Sequence, residues 1–185
     1  MSRKGDWIQT ASGRKYYPGD PLACDVVIDD IAHALSHICR YAGHCKEFYS
    51  VAEHSYHVSF LVPREHALLG LLHDATEAYL VDLPRPVKRL PQIRDGYADL
   101  EHYNWNAIAS KFGLPRMHEW PKTVKHADTA ILLAERAVLM QPIEAHDWLG
   151  EDFDGTAPEV AIECWSPKVA RHNFLTRFYQ LFLNR

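Results

Sequence analysis

The sequence predicts an all-α domain. Three observations carry that reading: apolar residues recur at three- and four-residue intervals, no segment has a strand–helix–strand pattern, and Pro and Gly fall mainly between the periodic segments. A length of 185 residues with 47% hydrophobic and 24% charged composition fits one domain spanning 1–185, and it excludes disordered, collagenous and coiled-coil classes.

Residues 1–27 read as an irregular arm or short hairpin, because Gly13, Pro18, Gly19 and Pro21 punctuate it while Tyr16 and Tyr17 can pack it down. A helix follows from Ile28 to Tyr41, with Ile31, Leu35 and Ile38 on one face, Asp29 and Asp30 at its positive end and Gly43 at its exit. Ser50 and Glu53 have capping-box spacing and open a helix that ends near Pro63. The stretch from Arg64 to Leu80 reads as one continuous helix, with Leu68, Leu69 and Leu72 inward beside His73, and stops before Pro84 and Pro86. A long helix runs from Ile93 to Phe112 and ends at Gly113; another runs from Val124 to Met140, with Val124, Ala127, Ile131, Leu132 and Leu139 on a shared face. An acidic excursion anchored by Trp148 and Phe153 leads to a last helix, for which Ser166 and Pro167 are the cap and first-turn pair.

The formal charge of -4 gives no broad basic field and argues against duplex nucleic acid as a partner, although a few converging basic side chains suffice to hold a small anion. The opening MSRKGDWIQTASG has no apolar core of a signal peptide, and no apolar run approaches the roughly 20 residues of a membrane span, so a soluble cytoplasmic protein without a membrane partner is expected. Cys24, Cys39, Cys45 and Cys164 form no CxxC pair and read as free thiols. Twelve histidines stand out, and their positions decide what they do.

His73 and Asp74 lie inside an apolar stretch, with Glu77 four residues after His73. A buried His–Asp pair is costly unless it is hydrogen-bonded or binds a metal, and His54 and Asp128, also on apolar helices, are candidate partners. Mixed imidazole and carboxylate donors suit Mn, Co, Ni, Fe or Zn, ions that acidify water and polarise a phosphoryl oxygen. On the residues alone the alternative stays open that His73 satisfies a core hydrogen bond and Asp74 faces solvent.

The segments SVAEHS, HDATEAYLVDLPRPVK and VKHADTAILLAER, in that order, resemble the signatures of HD-domain phosphohydrolases. IDDIAHALSHICRYAGHCKEFYSVAEHS resembles more narrowly the compact bacterial and phage branch of 5′-deoxynucleotidases and deoxynucleoside triphosphohydrolases. The resemblance covers most of the chain and implies the compact HD-type helical fold. It implies His54, His73, Asp74 and Asp128 as metal ligands, and Glu77 beside the attacking water or the leaving group. It places Asp82 near the sugar, Arg40 on phosphate with Lys88 completing an anion clamp, and Tyr41 against the base, with Gly43 leaving room around the ring. A second ion, Mg or Mn, held by Asp74, Glu77 and phosphate is a further implication.

The function so implied is metal-dependent hydrolysis of deoxynucleoside triphosphates, purine-containing ones first, to deoxynucleoside and triphosphate. It would proceed in the cytoplasm of a bacterial cell, from a host or phage gene, in a self-associating protein. A broad 5′-deoxynucleotidase acting on dNMPs is the main alternative. Hydrolysis of cyclic nucleotides or alarmones, and a non-enzymatic nucleotide-binding or interaction module, rank lower.

Overall fold

A computed structural model describes residues 3–116, 119–142 and 156–185. Trp148 and Phe153, together with His118 and His146, lie outside the described residues. The chain is mostly helical. A two-stranded antiparallel hairpin, β1 (Ile8–Gln9) and β2 (Lys15–Tyr16), precedes α1 (Ile28–His37), α2 (Val51–Leu61), α3 (Ala67–Leu72), α4 (Glu77–Leu80), α5 (Arg85–Lys88), α6 (Arg94–Phe112), α7 (Lys122–Leu139) and α8 (Pro167–Leu183). Among the described residues no helix is long and apolar enough to cross a membrane.

Helix α2 is the hub. Val51 to Ser55, Val58 and Ser59 are all buried, and α1, α3, α7 and α8 pack around it. Polar residues on a largely buried helix need internal partners, and Glu53, His54 and Ser59 of this one find them. Helix α3 comes close to α2 at Gly70, where an added Cβ would stand 3.1 Å from Val62 Cγ2 and 3.3 Å from the Ser59 Cα. A larger residue there would push the two helices a few tenths of an ångström apart.

Helix α1 stops at His37, short of the expected Tyr41, because the chain leaves it to pair with residues entering α2. Arg40 N–H donates to the Tyr49 carbonyl at 2.9 Å, Val51 N–H to Ile38 at 3.1 Å, and Cys39 and Ser50 form an isolated antiparallel bridge. That bridge brings Arg40 beside the start of the helix that carries His54. Tyr41, Ala42 and Gly43 then follow with positive φ of 56°, 52° and 80°. This sharp left-handed turn explains Gly43 conformationally, since a Cβ there would meet no neighbour.

The single helix expected over Arg64–Leu80 is instead divided into a 3₁₀ turn at Arg64–His66, then α3, a turn through His73–Thr76, and α4. Hydrogen bonds from Ala75 to Leu72, Glu77 to Asp74, Ala78 to Ala75 and Tyr79 to Thr76 span three residues, so the chain tightens through His73 and Asp74 while staying right-handed. His73 and Asp74 therefore sit on a turn rather than within a regular helix. Val81 closes α4 at φ 62°, a strained conformation for a β-branched residue, immediately before Asp82. Arg85–Lys88 is a short helix that begins on Pro84 and Pro86, where proline fixes the φ of a first turn.

The arm is held by polar anchors. Tyr16 is fully buried, its ring stacks on Tyr79 at 3.6 Å, and its hydroxyl donates to Asn104 Oδ1 at 2.6 Å. Ser12 N–H and Oγ–H donate to the two Asp30 oxygens at 2.7 and 2.8 Å. Gly113 closes α6 in the left-handed conformation, as its position predicts, while Phe174 and Phe178 of α8 seat in the core. Ser166 precedes Pro167 as expected, but its hydroxyl makes no capping bond.

Candidate metal centre

Four donor atoms from three parts of the chain converge. His54 Nε2 lies 3.2 Å from Asp128 Oδ1, 3.6 Å from Asp74 Oδ2 and 3.3 Å from His73 Nε2. His73 Nε2 lies 3.2 Å from Asp74 Oδ2 and 3.8 Å from Asp128 Oδ1. Ligands about 2.1 Å from one ion at angles of 90–109° stand about 3.0–3.5 Å apart. The observed separations cluster around that range.

The second nitrogen of each imidazole is already committed. His54 Nδ1 faces Glu135 Oε1 at 2.6 Å, and His73 Nδ1 faces the Gly70 carbonyl at 2.8 Å. Both acceptors take an N–H, so each Nε2 of a neutral ring turns a lone pair toward the other and toward two carboxylate oxygens. A buried meeting of lone pairs is repulsive unless protons or a cation occupy it. Burial disfavours the charged form of both rings, and Arg40 further opposes it in His54. Glu135 and Asp128 nevertheless raise His54, and Asp74 and Asp128 raise His73 well above the usual range. Burial likewise opposes ionised Asp74 and Asp128, but the two histidines hold both below the usual carboxylate range. The same attraction would bind a divalent ion. His54, His73 and Asp74 form a group able to hold one, and Asp128 Oδ1 stands beside it as a fourth donor, 3.2 and 3.8 Å from the two histidine nitrogens.

Around this centre, the buried Arg40 guanidinium sits 3.6 Å from Asp74 Oδ2 and 3.4 Å from Glu135 Oε2. Glu77 is buried beside the pair; its Oε1 accepts from Lys88 Nζ at 3.3 Å, while its Oε2 is buried with no hydrogen-bond partner among the described residues. Burial, then the charges of Asp74 and Asp82, raise the Glu77 carboxyl well above the usual range. Asp82 is raised as well, by burial against the pull of Arg40. Lys88 also donates to Glu101 at 3.0 Å. Beside the centre opens a cleft of about 340 Å³ lined by His73, Asp74, Lys88, Glu101, Trp120 and Asp128 among others.

The site residues expected from the sequence thus separate into groups. His54, His73, Asp74 and Asp128 come together, with Arg40 against them and Glu77 and Lys88 paired at the edge. Tyr41 does not line the cleft; its hydroxyl donates to Glu135 Oε2 at 2.5 Å. Gly43 is exposed. His33 and His37 stack at 4.2 Å but gather no carboxylates into a metal-binding group among the described residues.

Glu135 escaped the sequence reading. It is fully buried, and its four partners are His54, Arg40, Tyr41 and Tyr49, the last donating at 3.0 Å. The available signal was its place seven residues after Asp128 on α7, two turns along one helical stripe that otherwise carries Ile131 and Leu139.

No family model matches the chain. The uncharacterized protein YfdR of Escherichia coli is 47% identical over 130 residues, 70% of this chain and 70% of that protein. An uncharacterized protein of Rhodobacter capsulatus is 35% identical over an alignment of 191 residues that covers 96% of each.

Proposed function

For a chain that belongs to one family with YfdR and the Rhodobacter protein, whose names assign no activity, we propose a metal-dependent phosphohydrolase of the HD type that acts on deoxynucleoside triphosphates and releases deoxynucleoside and triphosphate. The observation that carries this reading is the meeting of two imidazole lone pairs and two carboxylate oxygens with a buried arginine beside them.

A divalent ion bound by His54, His73, Asp74 and Asp128 supplies Lewis acidity, lowering the pKa of water and polarising a phosphoryl oxygen. Arg40 presents a planar set of donors to the phosphate oxygens and takes up the negative charge that develops on them. Lys88 adds a mobile positive charge at the cleft edge once it exchanges Glu101 for the substrate. Water attacks the α-phosphorus and the bond to the 5′ oxygen breaks. Glu77, whose affinity for protons is raised by burial and by the charges of Asp74 and Asp82, delivers the proton that the departing oxygen takes. Asp82, set on the strained turn at Val81, accepts the 3′-hydroxyl of the deoxyribose.

The test is a product-resolved assay of metal-loaded protein with dNTPs, dNMPs and ribonucleotides, read by ³¹P resonance. Triphosphate and deoxynucleoside are expected from dNTPs. Faster release of orthophosphate from dNMPs would make the protein a 5′-deoxynucleotidase, and nucleotide binding without turnover over several divalent ions would remove the hydrolase reading.

A further inference from the structure

The Glu135 carboxylate is divided between two limbs of the site. Oε1 receives His54 Nδ1 at 2.6 Å and the Tyr49 hydroxyl at 3.0 Å. Oε2 receives the Tyr41 hydroxyl at 2.5 Å and faces Arg40 Nε at 3.4 Å. One limb ends in a metal-facing nitrogen, the other in the guanidinium proposed to hold phosphate. The two limbs come from different stretches of chain, α2 and the turn before it; their outer nitrogens both face Asp74 Oδ2 at 3.6 Å, and their inner nitrogens meet on this side chain of α7. Tyr41 and Tyr49 fix the carboxylate plane from both sides, so His54 and Arg40 cannot shift independently of it. A carboxylate that accepts the distal N–H of a ligating imidazole sets the tautomer and the ring orientation and makes the ligand more basic.

We infer that Glu135 is the positioning residue that ties the metal limb to the phosphate limb, with Oε1 orienting His54 and Oε2 orienting Arg40. This deepens the metallohydrolase reading and rests on it. The carboxylate touches neither substrate nor metal, and it acts through the geometry of those two side chains. Charge alone does not suffice for this role, since the carboxylate must reach both partners at once.

The test uses the full chain stripped of metal and titrated with Co(II), with inorganic phosphate as the anion probe on the cobalt-loaded protein. Glu135→Gln should weaken cobalt binding about 10- to 100-fold, the range for loss of such a supporting carboxylate, and alter the visible cobalt spectrum. It should also weaken phosphate binding about tenfold, a drop comparable to losing one charge-assisted hydrogen bond. In an Arg40→Ala background the phosphate loss caused by Glu135→Gln should vanish while the cobalt loss persists. Glu135→Asp, which keeps the charge but withdraws it by one methylene, should fail to restore cobalt affinity, and it gives the same readings should the Gln variant fold poorly. Unchanged cobalt affinity and spectrum in Glu135→Gln, or full restoration by Asp, would overturn the inference while leaving the metal site standing. Absence of cobalt binding by the unaltered protein would overturn both.

Discussion

Glu53 and Glu135 are both fully buried carboxylates within reach of α2, yet they serve opposite purposes. Glu53 accepts three backbone N–H groups, from Glu163 and Cys164 at 3.0 Å and from Trp165 at 2.6 Å, and so ties the chain before α8 to the start of α2. Its hydrogen-bond donors are main-chain groups, and the one side chain paired with it among the described residues, His57 with Nε2 at 3.8 Å, lies one turn along the same helix. Glu135 takes side-chain partners instead, two of which, His54 and Arg40, turn a further nitrogen toward Asp74 Oδ2 at 3.6 Å, and these two hold its carboxyl down to about 2 against the opposing effect of burial. Residue type and burial are therefore the same in the two places. What separates a structural anchor from a working one is where the partners' remaining polar atoms point.

The largest test of that contrast is Asp74→Ala. It should abolish tight metal binding and lower turnover roughly 10³-fold, about 4 kcal/mol of transition-state stabilisation, while the folded chain survives. Metal content measured on the purified variant together with kcat checks it, and retained metal with full activity would remove Asp74 from the centre. Glu53→Ala should do the reverse. Three amides lose their acceptor at about 1 kcal/mol each, so denaturant unfolding should show a loss of about 3 kcal/mol with unchanged metal stoichiometry per folded molecule.

Glu77→Gln sharpens the comparison, because it should damage function and help stability. Turnover should fall about 10²-fold if the carboxyl donates its proton to the leaving oxygen. The native chain binds that proton more tightly than the unfolded chain, so the associated stability is complete below the ordinary value of 4.5 and drains away as pH rises through the raised native value. Near neutrality the metal-free Gln variant should therefore melt higher than the parent, with less of that pH dependence; a lower melting temperature at pH 7 would contradict the assignment. The smallest effect is expected from Arg40→Lys, which keeps the charge but loses the planar fork and the contact with Glu135. KM for the nucleotide should rise about tenfold, and an unchanged KM would argue that only charge matters there.

Much of this organisation was legible in the sequence. Helical periodicity located the long helices, and Gly113 and Ser50 marked termini that the structure keeps, since local backbone chemistry decides such ends. The Ser50 hydroxyl accepts from Glu53 N–H at 3.1 Å as the capping spacing predicts, but the Glu53 carboxylate leaves the cap for residues 163–165, a partner over a hundred positions away that spacing cannot reveal. The same limit explains the early end of α1, set by pairing with Tyr49 and Val51, and the divided helix at His73, where tertiary packing overrides a uniformly helical pattern. Pro84 and Pro86 read as breakers because proline removes donors, yet they start α5, where those donors have no intrahelical partner in any case. His54, His73, Asp74 and Asp128 were readable because charged or imidazole side chains on apolar stretches need a reason to be there. Glu135 satisfies that criterion equally, on the same helix as Asp128, but was not singled out. Tyr41 was read through its ring, whereas its hydroxyl makes the contact that counts here.

In the proposed centre the four donors bind one divalent ion through two imidazole nitrogens and carboxylate oxygens. X-ray absorption at the metal edge of cobalt- or zinc-loaded protein tests it most directly. The expected spectrum shows one ion per chain with only nitrogen and oxygen neighbours at about 2.0–2.2 Å and the outer-shell scattering of two histidine rings, lost in Asp74→Ala. Sulfur neighbours, or an ion surrounded by oxygen alone with no imidazole scattering, would contradict it.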